Sequence, residues 1–365
     1  MIFVSLALLS LAACVTDFTP EVKGVSGILV VDGTITDGES VFRLSRSVGI
    51  TDDIRSADTI TNAEVSVERS DGEIFEASQE SKGAYRAING ALDPNLEYRL
   101  NISLDGKQYQ SSFLKPIQSA EIDSLSFHKA GKGEPVTIHV SAHADKAQSP
   151  FYRWTFVENW ELRAPRYTRH GYVNGVLTEF NINSPLNTYY CWGKDTSKVL
   201  LLESTEALAE NRVEERKLTE IPCSHDKVSQ LYHIEVFQTQ LREEAYDYLR
   251  FMQDEIERTG GLFSIVMSAG DNGNIYNLSD PEEVVIGYIE VASTTRKSIF
   301  IANDTAKLYE DPHEYCPAYP AGPFAGQQFW LDYDKRLYTH ETCVDCRSRY
   351  NASKNKPDWW PTDHQ

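Results

Sequence analysis

Cys14 is the residue whose neighbours point most directly to a defined chemical reaction. Residues 2–13 form an uninterrupted run of apolar and small residues, and Leu11-Ala12-Ala13-Cys14 matches the lipobox, where a bacterial signal peptide is cleaved and the cysteine thiol is lipidated. The run is shorter than the roughly 20 apolar residues that a transmembrane helix needs. We therefore expect a lipoprotein signal peptide over 1–13 and a lipidated tether over 14–26. The alternative is an ordinary secretory signal followed by an incidental cysteine.

Five further cysteines are disulfide candidates, because an exported chain meets oxidising conditions. Cys191 and Cys223 could close one loop, and Cys316 could pair with Cys343 or with Cys346 in another. Alternatively, Cys343 and Cys346 bond to each other and Cys316 stays free. The Cys343-x-x-Cys346 spacing alone is a weak metal signal, because a closed zinc site needs four ligands and no second pair follows.

The rest of the chain contains no recognisable catalytic or cofactor-binding pattern. A nucleophile elbow, a phosphate-binding glycine loop and a dinucleotide fingerprint are all absent. His139 and His143 are four residues apart, which in a strand only places them on the same face. Asp271-Asn272-Gly273-Asn274 resembles part of a calcium loop but lacks the later ligands of an EF-hand. We expect no metal, no cofactor and no catalytic residue.

The tryptophans are the best candidates for contacts with a ligand or partner. The chain has six, and each could stack on a sugar or peptide, although packing in a core is the commoner fate of tryptophan. Trp359 and Trp360 are adjacent near the end of the chain. We expect this pair to contact a ligand, a partner or the protein itself.

The composition excludes several classes of function. The formal net charge is -19, which argues against binding nucleic acid, because a phosphate backbone favours Lys and Arg. The same charge disfavours lying flat on anionic lipid. An apolar content of 41% is ordinary for a folded soluble protein. The acyl chains on Cys14, such as palmitate, are then the expected anchor, because two or more chains hold a protein at a membrane.

Short alternating segments predict a mainly β protein of two parts. Strands at intervals of about ten residues, separated by turn signals such as Asp32-Gly33 and Asp105-Gly106, favour an immunoglobulin-like β-sandwich over 27–116. Residues 120–365 should form a larger β-rich domain with one or two helices.

Two segments of the second part are predicted to be helical. Apolar residues recur at helical spacing between Arg242 and Arg258, and Gly260-Gly261 would end that helix. A second, shorter helix could be capped by Ser204 or Thr205 and end before Pro222.

Short motifs in the second half of the chain form an ordered set. They are Gly260-Gly261-Leu262-Phe263, Gly273-Asn274-Ile275, Val285-Ile286-Gly287-Tyr288, Tyr315-Cys316-Pro317, Cys343-Val344-Asp345-Cys346-Arg347 and Lys356-Pro357-Asp358-Trp359-Trp360. In order and spacing, this set resembles the family called domain of unknown function 4249, and the likeness runs from the lipobox to the C-terminus. The resemblance implies a Bacteroidota-type outer-membrane lipoprotein, commonly encoded beside a TonB-dependent receptor, and it supplies no catalytic residue.

The leading hypothesis is an accessory lipoprotein of an outer-membrane nutrient-uptake system. It would be anchored by Cys14 and would bind an unknown small ligand, a TonB-dependent transporter or both. Asp17 and Glu21, behind the lipidated cysteine, leave open whether it faces the cell surface or the periplasm. The alternatives are a surface hydrolase acting on glycan or peptide through a carboxylate pair, and a purely structural protein of the envelope. With 54 acidic residues, such a pair cannot be identified from the sequence.

Overall fold

The computed structural model describes residues 27–47, 59–182, 184–259, 273–310, 316–322 and 329–361. Cys14, the signal peptide, the tether and Asp271-Asn272 lie outside these ranges. The strands are β1 Leu29–Ile35, β2 Gly38–Arg46, β3 Glu64–Arg69, β4 Ile74–Ser81, β5 Ala84–Gly90, β6 Tyr98–Leu104, β7 Lys107–Ser111, β8 Ile122–His128, β9 Val136–His143, β10 Phe151–Arg163, β11 His170–Val173, β12 Val176–Glu179, β13 Tyr190–Thr196, β14 Leu201–Ser204, β15 Arg212–Ile221, β16 Leu231–Leu241, β17 Ile275–Asn277, β18 Val285–Ile286, β19 Glu290–Val291, β20 Thr295–Ala302, β21 Tyr319–Pro320, β22 Phe329–Asp332, β23 Leu337–Thr339 and β24 Ala352–Ser353. The helices are α1 Glu243–Thr259, α2 Asn303–Ala306 and α3 Glu341–Val344.

The predicted mainly β fold is confirmed, and local alternation explains it. In β6 every second residue from Tyr98 to Leu104 is buried, so one face of the strand packs into a core while the other faces outward. The long helix predicted from Arg242 to Arg258 is also confirmed, as α1. Within the described residues, no helix is long and apolar enough to cross a membrane.

The first sheet is almost closed on itself. Its strands run in the order β17-β7-β6-β3-β4-β5-β2-β1-β18, and β19 also pairs with β1. A parallel bridge between Gly273 and Gly287 joins its two ends. Residues 275–291, far along the chain, therefore complete the sheet begun by residues 29–111. The more specific expectation of an immunoglobulin-like sandwich stays a prediction.

A second core lies between two further sheets. The larger has the order β20-β16-β10-β13-β24, with β14 also paired to β10, and the smaller has the order β15-β9-β8. The core between them is rich in aromatic and branched side chains, including Trp154 and Tyr232 from the larger sheet and Ile138 and Val140 from the smaller one.

The short helix predicted between Ser204 and Pro222 is wrong. Residues 212–221 form β15, which pairs antiparallel with β9. Val213, Leu218 and Ile221 are buried in the second core, so pairing with β9 and burial outweigh the local capping signal.

Buried polar contacts fasten the first sheet to the second core. Glu290, next to β1, is 3% exposed and accepts hydrogen bonds from the backbone N–H and the guanidinium of Arg242 at the start of α1. The guanidinium also donates to the carbonyl of Lys115. Ser119 and Ser293 make a second buried connection, with the Ser119 N–H donating to Ser293 Oγ at 2.8 Å. Separating the first sheet from the second core would leave these buried polar groups without partners. The hydrogen bonds therefore hold the two parts together.

Candidate functional site

The disulfides tie the end of the chain to the larger sheet. Cys191 in β13 is bonded to Cys346, and Cys316 is bonded to Cys343. The bond between Cys316 and Cys343 is one of the two pairings that the sequence left open for Cys316. Pairing Cys191 with Cys223 is wrong: Cys223 is buried just beyond β15, in the smaller sheet, and has no disulfide partner among the described residues.

Hydrogen bonds support the same attachment. The Cys346 N–H donates to the carbonyl of Thr188 at 2.9 Å, and the Thr188 hydroxyl donates to the carbonyl of Val344 at 3.0 Å. The Arg166 N–H donates to the carbonyl of Cys343 at 2.8 Å. The disulfide-bonded tail therefore lies across the segment that follows β10.

A cavity of about 570 Å³ lies between this tail and the β11–β12 hairpin, and we call it the C-terminal cavity. Its size falls within the range of small-molecule sites. It is lined by Thr168, His170, Gly171, Tyr172, Val173, Asn174, Phe180, Pro185, Leu186, Thr188, Phe329, Trp330, Val344, Asp345, Arg347 and Lys354.

Four aromatic side chains contribute to the apolar lining of the C-terminal cavity. Tyr172 and Phe180 come from the hairpin side, whereas Phe329 and Trp330 come from β22. The Trp330 side chain is packed edge-on against Tyr333, with ring centroids 5.0 Å apart. Trp330 is only 3% exposed, and its indole Nε1 has no hydrogen-bond partner in the described part of the chain. A buried donor without an acceptor is costly, but this nitrogen exposes almost no surface to the cavity, so the Trp330 side chain contributes its ring to the lining.

The charged lining consists of Asp345, Arg347 and Lys354. Arg347 forms a bidentate salt bridge with Asp345, in which Nε lies 2.9 Å from Oδ1 and Nη2 lies 2.6 Å from Oδ2. Lys354 instead donates to the neutral carbonyl of Tyr190 at 2.6 Å and lies 5.8 Å from the centre of the Trp192 ring. Burial lowers the pKa of Lys354, and repulsion from Arg347 lowers it further, while Asp345 acts in the opposite direction.

Sequence reasoning missed this cavity. Its walls come from a turn-rich stretch around residues 168–188 and from residues 329–354, and neither stretch carries a recognisable binding motif. The clustering of aromatic residues with Arg and Lys near the paired cysteines was the available signal.

The adjacent tryptophans have different fates. Trp360 is 4% exposed, and its Nε1 donates to Glu161 Oε2 at 2.9 Å, so it anchors the end of the chain to β10. Trp359 is 52% exposed and lies against His233 and Phe300. Only Trp359 therefore offers a surface to another molecule.

A second cavity of about 750 Å³ lies between β1–β2 and the larger sheet, and we call it the inter-sheet cleft. Three carboxylates and three arginines line it, together with threonines and Phe237: the charged residues are Asp32, Asp37, Glu39, Arg43, Arg153 and Arg296. Each carboxylate has a partner: Asp32 is 3.8 Å from Arg153, Asp37 accepts from the Leu92 N–H at 2.9 Å, and Glu39 pairs with Arg86. These contacts account for the acids structurally, so the cleft identifies no hydrolytic pair.

Ser126, His128 and Glu215 superficially resemble a catalytic triad. Ser126 Oγ donates to Glu215 Oε2 at 2.8 Å, and His128 Nε2 lies 2.8 Å from the same oxygen. In a triad the histidine contacts the serine through one ring nitrogen and the acid through the other. Here Nε2 faces both, at 3.4 Å from the serine, and His128 and Glu215 are 58% and 50% exposed. The arrangement is a surface hydrogen-bond cluster.

The histidines and the partial calcium motif have structural contacts. His139 interacts with the backbone oxygen of Glu215, and His143 with Asp123. The Asn274 amide spans two backbone groups of Ile289, donating to its oxygen at 3.0 Å and accepting from its N–H at 2.8 Å. Among the described residues, no group of three or more metal-binding side chains occurs.

Comparison with protein families shows to which family the chain belongs. The sequence profile of a domain of unknown function, DUF4249, matches residues 15–298, which is more than half of the chain. The chain belongs to the DUF4249 family. This confirms the family resemblance drawn from the ordered motifs. Comparison with curated proteins finds no matching relative.

The DUF4249 match covers only one wall of the C-terminal cavity. The β11–β12 hairpin lies inside the matched range, whereas β22, α3 and Lys354 lie beyond residue 298. The motifs Tyr315-Cys316-Pro317 and Cys343 to Arg347 also lie beyond it. The DUF4249 description states no activity, so the function must be argued from geometry.

Proposed function

We propose that this protein is an accessory lipoprotein of the outer membrane, which is held by acyl chains on Cys14 and binds a small ligand for uptake. The observation that carries the proposal is the C-terminal cavity, which lies beside two disulfides and is lined by four aromatic side chains and a few polar and charged groups. Small-molecule sites typically combine an apolar lining with a few polar groups that fix orientation.

The lipobox supports the location. A lipid anchor on Cys14 is followed by residues 15–26, which reach the first strand at Leu29. A net charge of -19 keeps such a tethered body soluble. Replacing Cys14 with Ala should release a folded protein into the soluble fraction, and a variant that still fractionates with the outer membrane would contradict the anchor.

A TonB-dependent transporter is the proposed partner, and Trp359 with Phe300 is the proposed contact. Both are about half exposed and adjacent, with ring centroids 6.1 Å apart, and exposed aromatic residues are enriched in protein interfaces. The test is co-purification of the native protein from detergent-solubilised outer membrane. Wild type should retain a transporter, whereas Trp359→Ala should retain less. Recovery of no transporter would contradict this partnership.

A further inference from the structure

We propose that the C-terminal cavity binds an acidic sugar, with its ring against the aromatic wall and its carboxylate or sulfate beside Lys354. This inference names the ligand class of the proposed function and rests on it. Two independent features of the cavity carry it: its charge and its aromatic lining.

The charge of the cavity is opposite to that of the whole protein. The chain carries a net -19, yet among the described residues the charged ones lining the cavity are one acid, Asp345, and two bases, Arg347 and Lys354. Arg347 and Asp345 neutralise each other through their two-nitrogen contact. The remaining excess is the ammonium of Lys354.

Lys354 is half-buried without a counter-ion. Its ammonium donates a hydrogen bond to a neutral carbonyl, that of Tyr190, and no ion pair joins it to a carboxylate in the described ranges. Taking an ammonium out of water is unfavourable unless an anion compensates it. The lowered pKa of Lys354 agrees with this, because burial and the nearby Arg347 both disfavour its charged form. A bound anion would relieve both effects.

The aromatic residues of the cavity favour a ring as ligand. Tyr172, Phe180, Phe329 and Trp330 present aromatic surface to the cavity, and such surface packs well against the apolar face of a sugar. The volume of about 570 Å³ accommodates a molecule larger than a single small acid.

The inter-sheet cleft is a weaker candidate for an acidic ligand. Its three arginines face three carboxylates, so it carries no excess positive charge among its lining residues. Of the described residues that line the cleft, only Phe237 is aromatic. The C-terminal cavity therefore has an excess of positive charge that the inter-sheet cleft lacks, and this difference in charge decides the ligand class.

Calorimetric titration of the full-length protein in a sugar-free detergent tests the inference. The probes are a disaccharide containing glucuronic acid, a neutral disaccharide of the same ring number, phenylacetate and inorganic sulfate. We expect the acidic disaccharide to bind at least tenfold more tightly than the neutral one, and its affinity to fall with added salt. Equal affinity for the two disaccharides, tight binding of phenylacetate alone, or no binding of the acidic disaccharide would overturn the inference.

Variants locate the site. Lys354→Gln should weaken the acidic disaccharide about tenfold and leave the neutral one nearly unchanged. Trp330→Ala, which removes part of the aromatic lining, should weaken both. Lys217→Gln is the matched control, because Lys217 is an exposed residue of β15 paired with Glu220. An unchanged affinity in Lys354→Gln would overturn the assignment to this cavity.

The binding test of the ligand class can fail independently of the proposed location and partner. Co-purification of a transporter without binding of acidic sugar would reject only the ligand class. Binding of acidic sugar by a protein that is neither membrane-held nor transporter-associated would reject the proposed uptake role instead.

Discussion

A Cβ atom placed on Gly273 would lie 1.8 Å from the carbonyl oxygen of Gly287, at the point where the first sheet meets itself. The Asn274 N–H donates to that same oxygen at 3.2 Å. Glycine at 273 therefore lets two distant segments approach closely enough to close the sheet. Two motifs that carry the family resemblance are explained by this contact rather than by chemistry.

Gly273→Ala should destabilise the protein more than a glycine substitution at a matched site. Gly72 has nearly the same backbone angle, φ +95° against +97° for Gly273, but nothing lies within 4 Å of its added Cβ. Gly72→Ala should cost about 1–2 kcal/mol of left-handed strain. Gly273→Ala should cost about 1–3 kcal/mol more, because the clash is with backbone. Urea unfolding of both variants measures the difference, and equal losses would contradict the close approach.

Glu283 should make the stability of the first sheet sensitive to acid. Its carboxylate accepts hydrogen bonds from Lys107 at 2.6 Å, from Asn277 at 2.6 Å and from the Tyr109 hydroxyl at 3.0 Å. Burial raises the pKa of Glu283, but these donors outweigh it and hold the pKa below its ordinary value of 4.5. The folded-state pKa is lower than the unfolded one, so the stabilisation is present above about pH 4.5 and is lost as pH falls through the folded pKa.

Glu283→Gln tests this relationship, because the amide has the size of the carboxyl group but does not ionise. We expect the variant to be about 1 kcal/mol less stable at neutral pH, and to lose less additional stability below about pH 4.5. Urea unfolding at a series of pH values gives both quantities. The neighbouring and exposed Glu282→Gln is the control. Parallel pH profiles for wild type and Glu283→Gln would show that this carboxylate is not the titrating group.

The two adjacent tryptophans should respond differently to the same substitution. Trp360→Phe removes the indole donor to Glu161, a carboxylate that is only 3% exposed. A hydrogen bond to a charged group contributes about 1.5–3 kcal/mol, so the free energy of unfolding should fall by that amount. Trp359→Phe should change it by less than about 0.5 kcal/mol, because this side chain is 52% exposed. Similar losses for both would argue against the anchoring role of Trp360.

The disulfide pattern predicts a specific labelling result. Alkylation of the denatured, unreduced protein should modify Cys223 and leave the other four cysteines after residue 14 unmodified until a reductant is added. Peptide mapping by mass spectrometry reads this directly. Modification of Cys346 without reductant would contradict the pairing with Cys191.

The two disulfides should differ in their effect on stability. Cys191 and Cys346 are 155 residues apart and Cys316 and Cys343 are 27 apart, which corresponds to about 5 and about 3.5 kcal/mol in the chain-entropy description. The double variant Cys191→Ala, Cys346→Ala should therefore lose more stability than Cys316→Ala, Cys343→Ala. Guanidinium unfolding compares them, and the reverse order would mean that native-state effects dominate.

Local sequence patterns determined the structural class of this protein. Alternating residues such as those of β6 bury one face of a strand wherever they pair, and the apolar spacing before the double glycine specified α1. The ordered short motifs identified the family. The strand and helix signals succeed because each depends on residues within one or two turns or strands of each other.

The tertiary structure alone decided which distant segments meet. Residues 212–221 became β15 because β9 offered a pairing edge and the second core buried Leu218, although the local signals favoured a helix. Cys191 is bonded to Cys346 rather than to Cys223 because β24, near the end of the chain, pairs with β13. The C-terminal cavity likewise joins residues of the β11–β12 hairpin to Trp330 and Lys354. Such contacts follow from chain pairing and burial across the whole molecule, which no local periodicity encodes.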